Sequence, residues 1–309
     1  MKIFLRSVAF FGIGLIALNL LIYFLLSRPI LYDKYIVSAD SMDEYRNFLL
    51  ADSHGAAVGK KYLAKYGIYN FSFGSDNYCD MYNKLTFVIQ QNIPIDTVLI
   101  TADDHTLSPY REAINNLNRS IQYANAESYS HYSHRNTLLF YSEKYVMPYL
   151  PLFNTSNSRL FSYYLLSTIL PKSEMEGDTS RKKSSTAPKA ITAEVRERVA
   201  YQFPGGDSSK LLSSCLKGII DLCQENGIVF IGIKFPLSDG YAKLLGQRSY
   251  HGDQILIQSG AAIIDLKMVF TQDDSLFKDP DHITDEGAKI FSSLLYQELK
   301  KHDYNSFKR

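Results

Sequence analysis

From Val8 to Leu26 the chain carries no charge, and its only strongly polar side chain there is Asn19. As a helix rising about 1.5 Å per residue, this run reaches roughly 28 Å, the depth of a bilayer's hydrocarbon core. Lys2 and Arg6 precede the run, and Arg28 and Pro29 close it. A cleaved signal peptide would have a shorter apolar core followed by small residues, whereas this run ends Leu25, Leu26, Ser27, Arg28. The expectation is an uncleaved signal anchor over residues 1–30, crossing a lipid bilayer once through residues 8–26. The basic residues ahead of the run put the N-terminus in the cytoplasm. Everything after it then lies outside the cytoplasm, in a periplasm or at a cell surface. Residues 31–44 read as a polar connector.

Beyond the connector, residues 45–309 suffice for one large α/β domain with a substantial core. The 33 basic and 32 acidic side chains nearly cancel, so no field draws the chain to nucleic acid. A strand over 46–50 leads into a helix over 56–66. A strand over 68–73, a helix over 76–91 and a buried strand over 96–101 follow. The rhythm resumes with a helix over 208–226, a strand over 228–233, one or two helices within 238–258 and a strand over 261–266. A last helix over 284–301 has Thr284 as its N-cap and Asp285 and Glu286 in its first turn. Strands alternating with helices predict a parallel sheet covered on both faces, a three-layer α/β fold.

Residues 105–205 break the rhythm and read as an insertion or cap after strand three. It holds a tyrosine-rich stretch, a helix over 158–169, and residues 171–189, which have almost nothing to bury and are expected to be disordered. The tyrosines between 123 and 149 suit core and cap packing, with sugar stacking as the alternative. His131 and His134 are three apart but lack a third ligand, so no metal and no cofactor are expected. Cys215 and Cys223, eight apart on one helix, are too distant to pair. Cys79 has either as a candidate partner, but all three cysteines read as buried apolar fillers.

Two short stretches carry chemistry. "FLLADSHGAAVG", residues 48–59, ends an apolar strand in Asp52, Ser53 and His54 and continues in small residues. Asp52 or Ser53 can serve as a helix cap, or Ser53 can be a nucleophile at the rim of the sheet. "FKDPDHITDEG" puts Asp279 three residues before His282, so the carboxylate can reach one imidazole nitrogen and leave the other for a serine. Loops at the carboxyl ends of parallel strands share one edge, where Ser53 and the Asp279–His282 loop can meet.

With these stretches the chain resembles the SGNH/GDSL hydrolase superfamily over about residues 45–104 and 208–301. The family's Gly-Asp-Ser block corresponds to Ala51-Asp52-Ser53, and its Asp-x-x-His block to Asp279-Pro280-Asp281-His282. The resemblance implies a flavodoxin-like fold with Ser53, His282 and Asp279 as a catalytic triad. It also implies an oxyanion hole from the backbone N–H groups of Ser53 and Gly74. The family's third block, Gly-x-Asn-Asp, falls on "ITADDHTL" without its Asn. Asp103 stands there, and an ionised Asp cannot donate to an oxyanion. Asp103, Asp104, His105 and His54 are therefore candidates for a substrate or third-block role. The "DSH" block and the anchor look most like membrane-tethered SGNH proteins of envelope polysaccharide O-acylation, such as the alginate acetylation proteins and the DltD group. That implies a serine esterase or O-acyltransferase whose partners are an acylated polysaccharide or acyl donor and a membrane-bound O-acyltransferase. The alternative is an accessory or scaffold protein that kept the fold and lost efficient chemistry.

Overall fold

The computed structural model describes residues 1–132, 137–153 and 192–301. The helix expected over 158–169, the disorder expected over 171–189 and His134 lie outside the described residues. The chain divides into two compact units: Met1–Val37 with His134–Ala187, and Ser38–Ser133 with Pro188–Arg309. The division cuts through the stretch read as a single insertion. Its first part and its residues from 188 onward belong with the α/β sheet, and the part between belongs with the N-terminal helix.

In the first unit, helix α1 (Lys2–Ile22) runs on as π-helical turns over Tyr23–Tyr32. Together they make a helix long and apolar enough to cross a membrane. Pro29 sits inside the π stretch, where its missing N–H would have broken a regular ladder. A helix over Thr137–Tyr145 and single 3-10 turns over Met147–Tyr149 and Pro151–Phe153 complete this unit's described part.

The second unit is built on a five-stranded parallel sheet. Strand β1 (Asn47–Leu50) is buried throughout and feeds helix α2 (Ser53–Val58). Gly59 at φ 75° ends α2, and α3 (Lys60–Ala64) starts anew. The single helix expected over 56–66 is thus two, because only Gly enters this backbone region without strain. Strand β2 (Ile68–Asn70) and helix α4 (Tyr78–Gln90) follow, α4 opening on a capping box of Asn77 and Asp80. Strand β3 (Thr97–Thr101) precedes single turns at Tyr110–Ala113 and Leu117–Ser120 and helix α5 (Ala126–Tyr132). Next come α6 (Ala193–Gln202), α7 (Lys210–Glu225), β4 (Val229–Lys234), α8 (Asp239–Leu245), α9 (Gly252–Gln258) and β5 (Ala262–Asp265). A short antiparallel pair, β6 (Phe277–Asp279) and β7 (His282–Ile283), leads into α10 (Asp285–Lys301). Thr284 Oγ1 accepts the N–H of Gly287 at 3.2 Å, as a capping residue should.

The strand order is 2-1-3-4-5, all neighbours parallel. In this order the chain reverses direction across the sheet between β1 and β3, and the crevice opens outside the carboxyl ends of those strands. On one face Leu49, Leu99, Ile231, Ile233 and Ile264 pack with Val58 and Leu63 and with Phe291, Leu295 and Leu299 of α10. Gly232 points to the other face. A Cβ there would lie 2.4 Å from Ile263 Cδ1 and 3.1 Å from Leu256 of α9.

Helices α4 and α7 pack side by side, which brings Cys79 and Cys215 to a Cα separation of 5.1 Å in a disulfide. The reading of all three cysteines as fillers is therefore corrected for this pair. It holds for Cys223, a buried free thiol whose pKa burial pushes up to about 12.

Candidate active site

The end of β1 shows why an apolar strand stops in an acid. Asp52 Oδ1 accepts the N–H of His54 at 2.9 Å and so caps α2. Its other oxygen lies 3.3 Å from His105 Nε2 and 3.3 Å from Arg111 Nη2. Burial pushes the Asp52 carboxyl upward, but His54, Arg111 and His105 outweigh it and hold it far below the usual carboxylate range. The small residues that follow have a use as well. A Cβ on Gly55 would sit 2.5 Å from Ala51 Cβ and 2.6 Å from Ser72 Oγ. The Gly55 carbonyl also accepts from Asn70 Nδ2 at 2.8 Å. Glycine lets the first turn of α2 lie against the ends of β1 and β2, which fixes where Ser53 stands.

Ser53 is the first residue of α2, and α2 packs against β7, which carries His282. The rings of His54 and His282 are 5.1 Å apart, edge to face. His282 Nδ1 lies 2.8 Å from Asp279 Oδ1 and 3.0 Å from Oδ2. Asp279 also accepts the backbone N–H of His282 at 3.0 Å, so the pair is locked within one turn. Among the described residues, neither Ser53 Oγ nor His282 Nε2 has a hydrogen-bond partner. Burial lowers the His282 pKa, but the bonds to Asp279 and Asp281 outweigh it and the nearby His54, leaving it raised. The backbone N–H groups of Ser53 and Gly74 likewise have no acceptor among the described residues. Gly74 lies in the loop after β2, its carbonyl accepting from Asn116 Nδ2 at 2.8 Å. The next residue, Ser75, takes a left-handed φ of 72°.

The other candidates sit deeper. His54 is almost fully buried, its Nδ1 lying 2.6 Å from Asp103 Oδ2 and its Nε2 3.4 Å from Asp281 Oδ2. Burial opposes its charge, but Asp52, Asp103 and Asp281 prevail and raise its pKa well above the ordinary value. A carboxylate facing each ring nitrogen favours the imidazolium form of His54. Asp103 spends its oxygens inward: Oδ1 on the N–H of Phe235 at 2.8 Å, and Oδ2 on His54 and on the Thr101 hydroxyl at 3.2 Å. Asp104 is held by Lys234 and Lys267, each at 2.8 Å. Burial raises its pKa, and the two ammonium groups more than reverse this. His105 stays with Asp52.

Several residues at the site carried no signal in the sequence. Asp281 bridges the two histidines, with His282 Nδ1 at 3.3 Å, and it accepts from Gln202 Nε2 at 2.7 Å. Burial raises the Asp281 carboxyl, yet His282 and His54 hold it well below its usual value. Arg198 of α6 lies 3.5 Å from Asp281 and 3.9 Å from Asp279. It comes from near the end of the irregular stretch, with no motif around it. Arg111, in the single turn Tyr110–Ala113, lies beside Asp52 and offsets its charge. Two groups are close enough to hold a metal ion, His54 with Asp281 and His282, and Asp52 with His54 and Asp103. Arg198 beside Asp281 and Arg111 beside Asp52 already supply positive charge to both, and a cation would compete with them.

Comparison of the chain with protein-family models and with curated proteins finds no match.

Proposed function

We propose that this protein is an SGNH-type serine esterase or O-acyltransferase, anchored in a membrane and acting on acyl esters of an extracytoplasmic polysaccharide. The observation that carries the reading is the Asp279–His282 pair at 2.8 Å, with an open Nε2, on a strand packed against the helix that Ser53 begins. Ser53 Oγ attacks the acyl carbonyl while His282 Nε2 takes its proton. Asp279 keeps the remaining ring proton on Nδ1 and stabilises the imidazolium. The N–H groups of Ser53 and Gly74 receive the developing oxyanion. His282 then returns the proton to the leaving oxygen, and water or a sugar hydroxyl takes the acyl group from Ser53. The buried Cys79–Cys215 disulfide favours an oxidising compartment and so an outward-facing catalytic unit with a cytoplasmic N-terminus.

A second reading, an accessory partner of a membrane-bound O-acyltransferase, draws on Asp103. Its carboxylate stands where the family has an amide donor and is spent on three inward contacts. One missing donor costs a few kcal/mol of barrier. Fluorophosphonate labelling of the purified full-length chain separates the two. The esterase reading expects covalent labelling that Ser53→Ala abolishes and His282→Ala nearly abolishes. Absence of labelling in the parent chain, or labelling indifferent to Ser53, would overturn it in favour of the accessory role.

A further inference from the structure

The first unit presents an apolar surface that the N-terminal helix alone does not account for. In Thr137–Phe153 the only charged residues are Glu143 and Lys144. Leu138, Tyr141, Tyr145 and Tyr149 recur at helical spacing and are exposed, Leu138 by 76%. Leu152 and Phe153 on the last 3-10 turn are exposed too. In water, so many exposed apolar side chains on one short segment mark an interaction site.

What covers it is indicated by where the segment is tied down. Asn19, the one strongly polar residue of the apolar run, is fully buried. Its Oδ1 accepts the N–H of Leu152 at 3.1 Å, and its Nδ2 donates to Leu15 O at 2.9 Å. The Tyr149 ring lies 4.5 Å from that of Tyr23 on the same helix. Asn19 is seven residues short of Leu26, so it sits ~10 Å inside the far edge of the apolar run. At that depth an unpaired amide or backbone N–H costs several kcal/mol, and non-helical backbone is tolerated only when protein satisfies it. Asn19 and Leu152 satisfy each other. The exposed tyrosines, amphipathic rings of the kind enriched at bilayer–water boundaries, lie along the same segment. Lys144 rests its ammonium over the Phe140 and Tyr145 rings, as a snorkelling lysine does.

We propose that Thr137–Phe153 is a second membrane-contacting element, a strap that dips beside the N-terminal helix into the bilayer leaflet farther from the N-terminus, with its tyrosines and leucines against lipid. The inference rests on the reading of the N-terminal helix as a bilayer span. It does not depend on the proposed catalysis.

The chain contains no tryptophan, so single tryptophans report their own surroundings cleanly. Leu138→Trp, Tyr149→Trp and Phe153→Trp would be introduced one at a time into the full chain, with Phe11→Trp as the reference for the span. Each would be reconstituted into phosphatidylcholine vesicles with or without bromine on the acyl chains. All three strap variants should lose at least half of their emission to brominated lipid and resist aqueous iodide, as Phe11→Trp does. Iodide quenching like that of free N-acetyltryptophanamide would put the segment in water and overturn the proposal. Shielding from both quenchers would show that protein covers the segment, and would overturn it equally. If Phe11→Trp itself is not quenched by the lipid, the span reading falls and the strap with it. Quenching at Phe11 alone removes only the strap.

Discussion

Replacing Cys79 and Cys215 together with alanine removes a link that joins α4 to α7 across 136 residues of chain. In the chain-entropy treatment, a cross-link closing a loop of that length restricts the unfolded state by about 5 kcal/mol at 25 °C. Both sulfurs are fully buried, so alanine also leaves unfilled volume and adds to the loss. A unit of this size should melt roughly 2–4 °C lower per kcal/mol, hence ~10–20 °C lower in the double variant. Calorimetry of the detergent-solubilised full chain, with and without a strong thiol reductant, measures the shift. The parent should fall on reduction to about the level of the variant, and the variant should not respond to reductant. Alkylation of the unfolded, unreduced parent should modify Cys223 alone. Three modified thiols, or a double variant melting within a few degrees of the parent, would refute the cross-link and the compartment argument built on it.

Gly55→Ala puts a methyl group against Ala51 and Ser72. It should cost about 1–3 kcal/mol in urea unfolding and reduce fluorophosphonate labelling of Ser53 by displacing its turn. Asp103→Asn should destabilise by about 3–5 kcal/mol, as breaking a buried charge pair does, because an amide cannot accept from Phe235, His54 and Thr101 together. It should not speed hydrolysis of a simple acetyl ester, and a faster rate would put Asp103 back in the oxyanion hole. His54, raised above its unfolded value near 6.5, contributes stability that is complete below that pH. The contribution is lost at up to about 1.4 kcal/mol per pH unit as pH rises toward its folded pKa. Asp52 and Asp281, depressed, contribute stability present above about pH 4 and lost below it. Melting temperatures should therefore peak between about pH 4.5 and 6.5, and His54→Gln should flatten the alkaline side. An unchanged alkaline slope would show that His54 is not charged.

The sheet was legible because β1, β3 and β4 are short apolar runs, buried throughout in β1 and β3 and over the last four residues of β4, that alternate with helices. The cap at Thr284 was written in a side chain that reaches only a few residues. The pairing of Asp279 with His282 could be read for the same reason, being local to one turn. The place of Asp103 after β3 could be read, but its inward contacts could not. Its role depends on Phe235 and His54, which lie far from it in sequence and near it only once β3 and β4 align. Arg198 and Asp281 were unseen on the same ground. The disulfide escaped because its geometry follows from the packing of α4 on α7, which no spacing of cysteines encodes. The partition of 105–205 between the two units was hidden because Thr137–Phe153 reads as apolar cap packing until Leu152 is found against Asn19.

The order in which the α/β unit receives its parts has a consequence during synthesis. Asp52, Ser53 and His54 follow the first strand, but the β6–β7 turn with Asp279 and His282 is made only after all five strands of the sheet. At ordinary elongation rates Ser53 is made on the order of ten seconds or more before His282. Until β4 has joined β3, Asp103 lacks the Phe235 amide that holds it. On the esterase reading proposed above, Ser53 is for that interval a hydroxyl without its base. On that same proposed reading, a chain becomes reactive only after its sheet is complete.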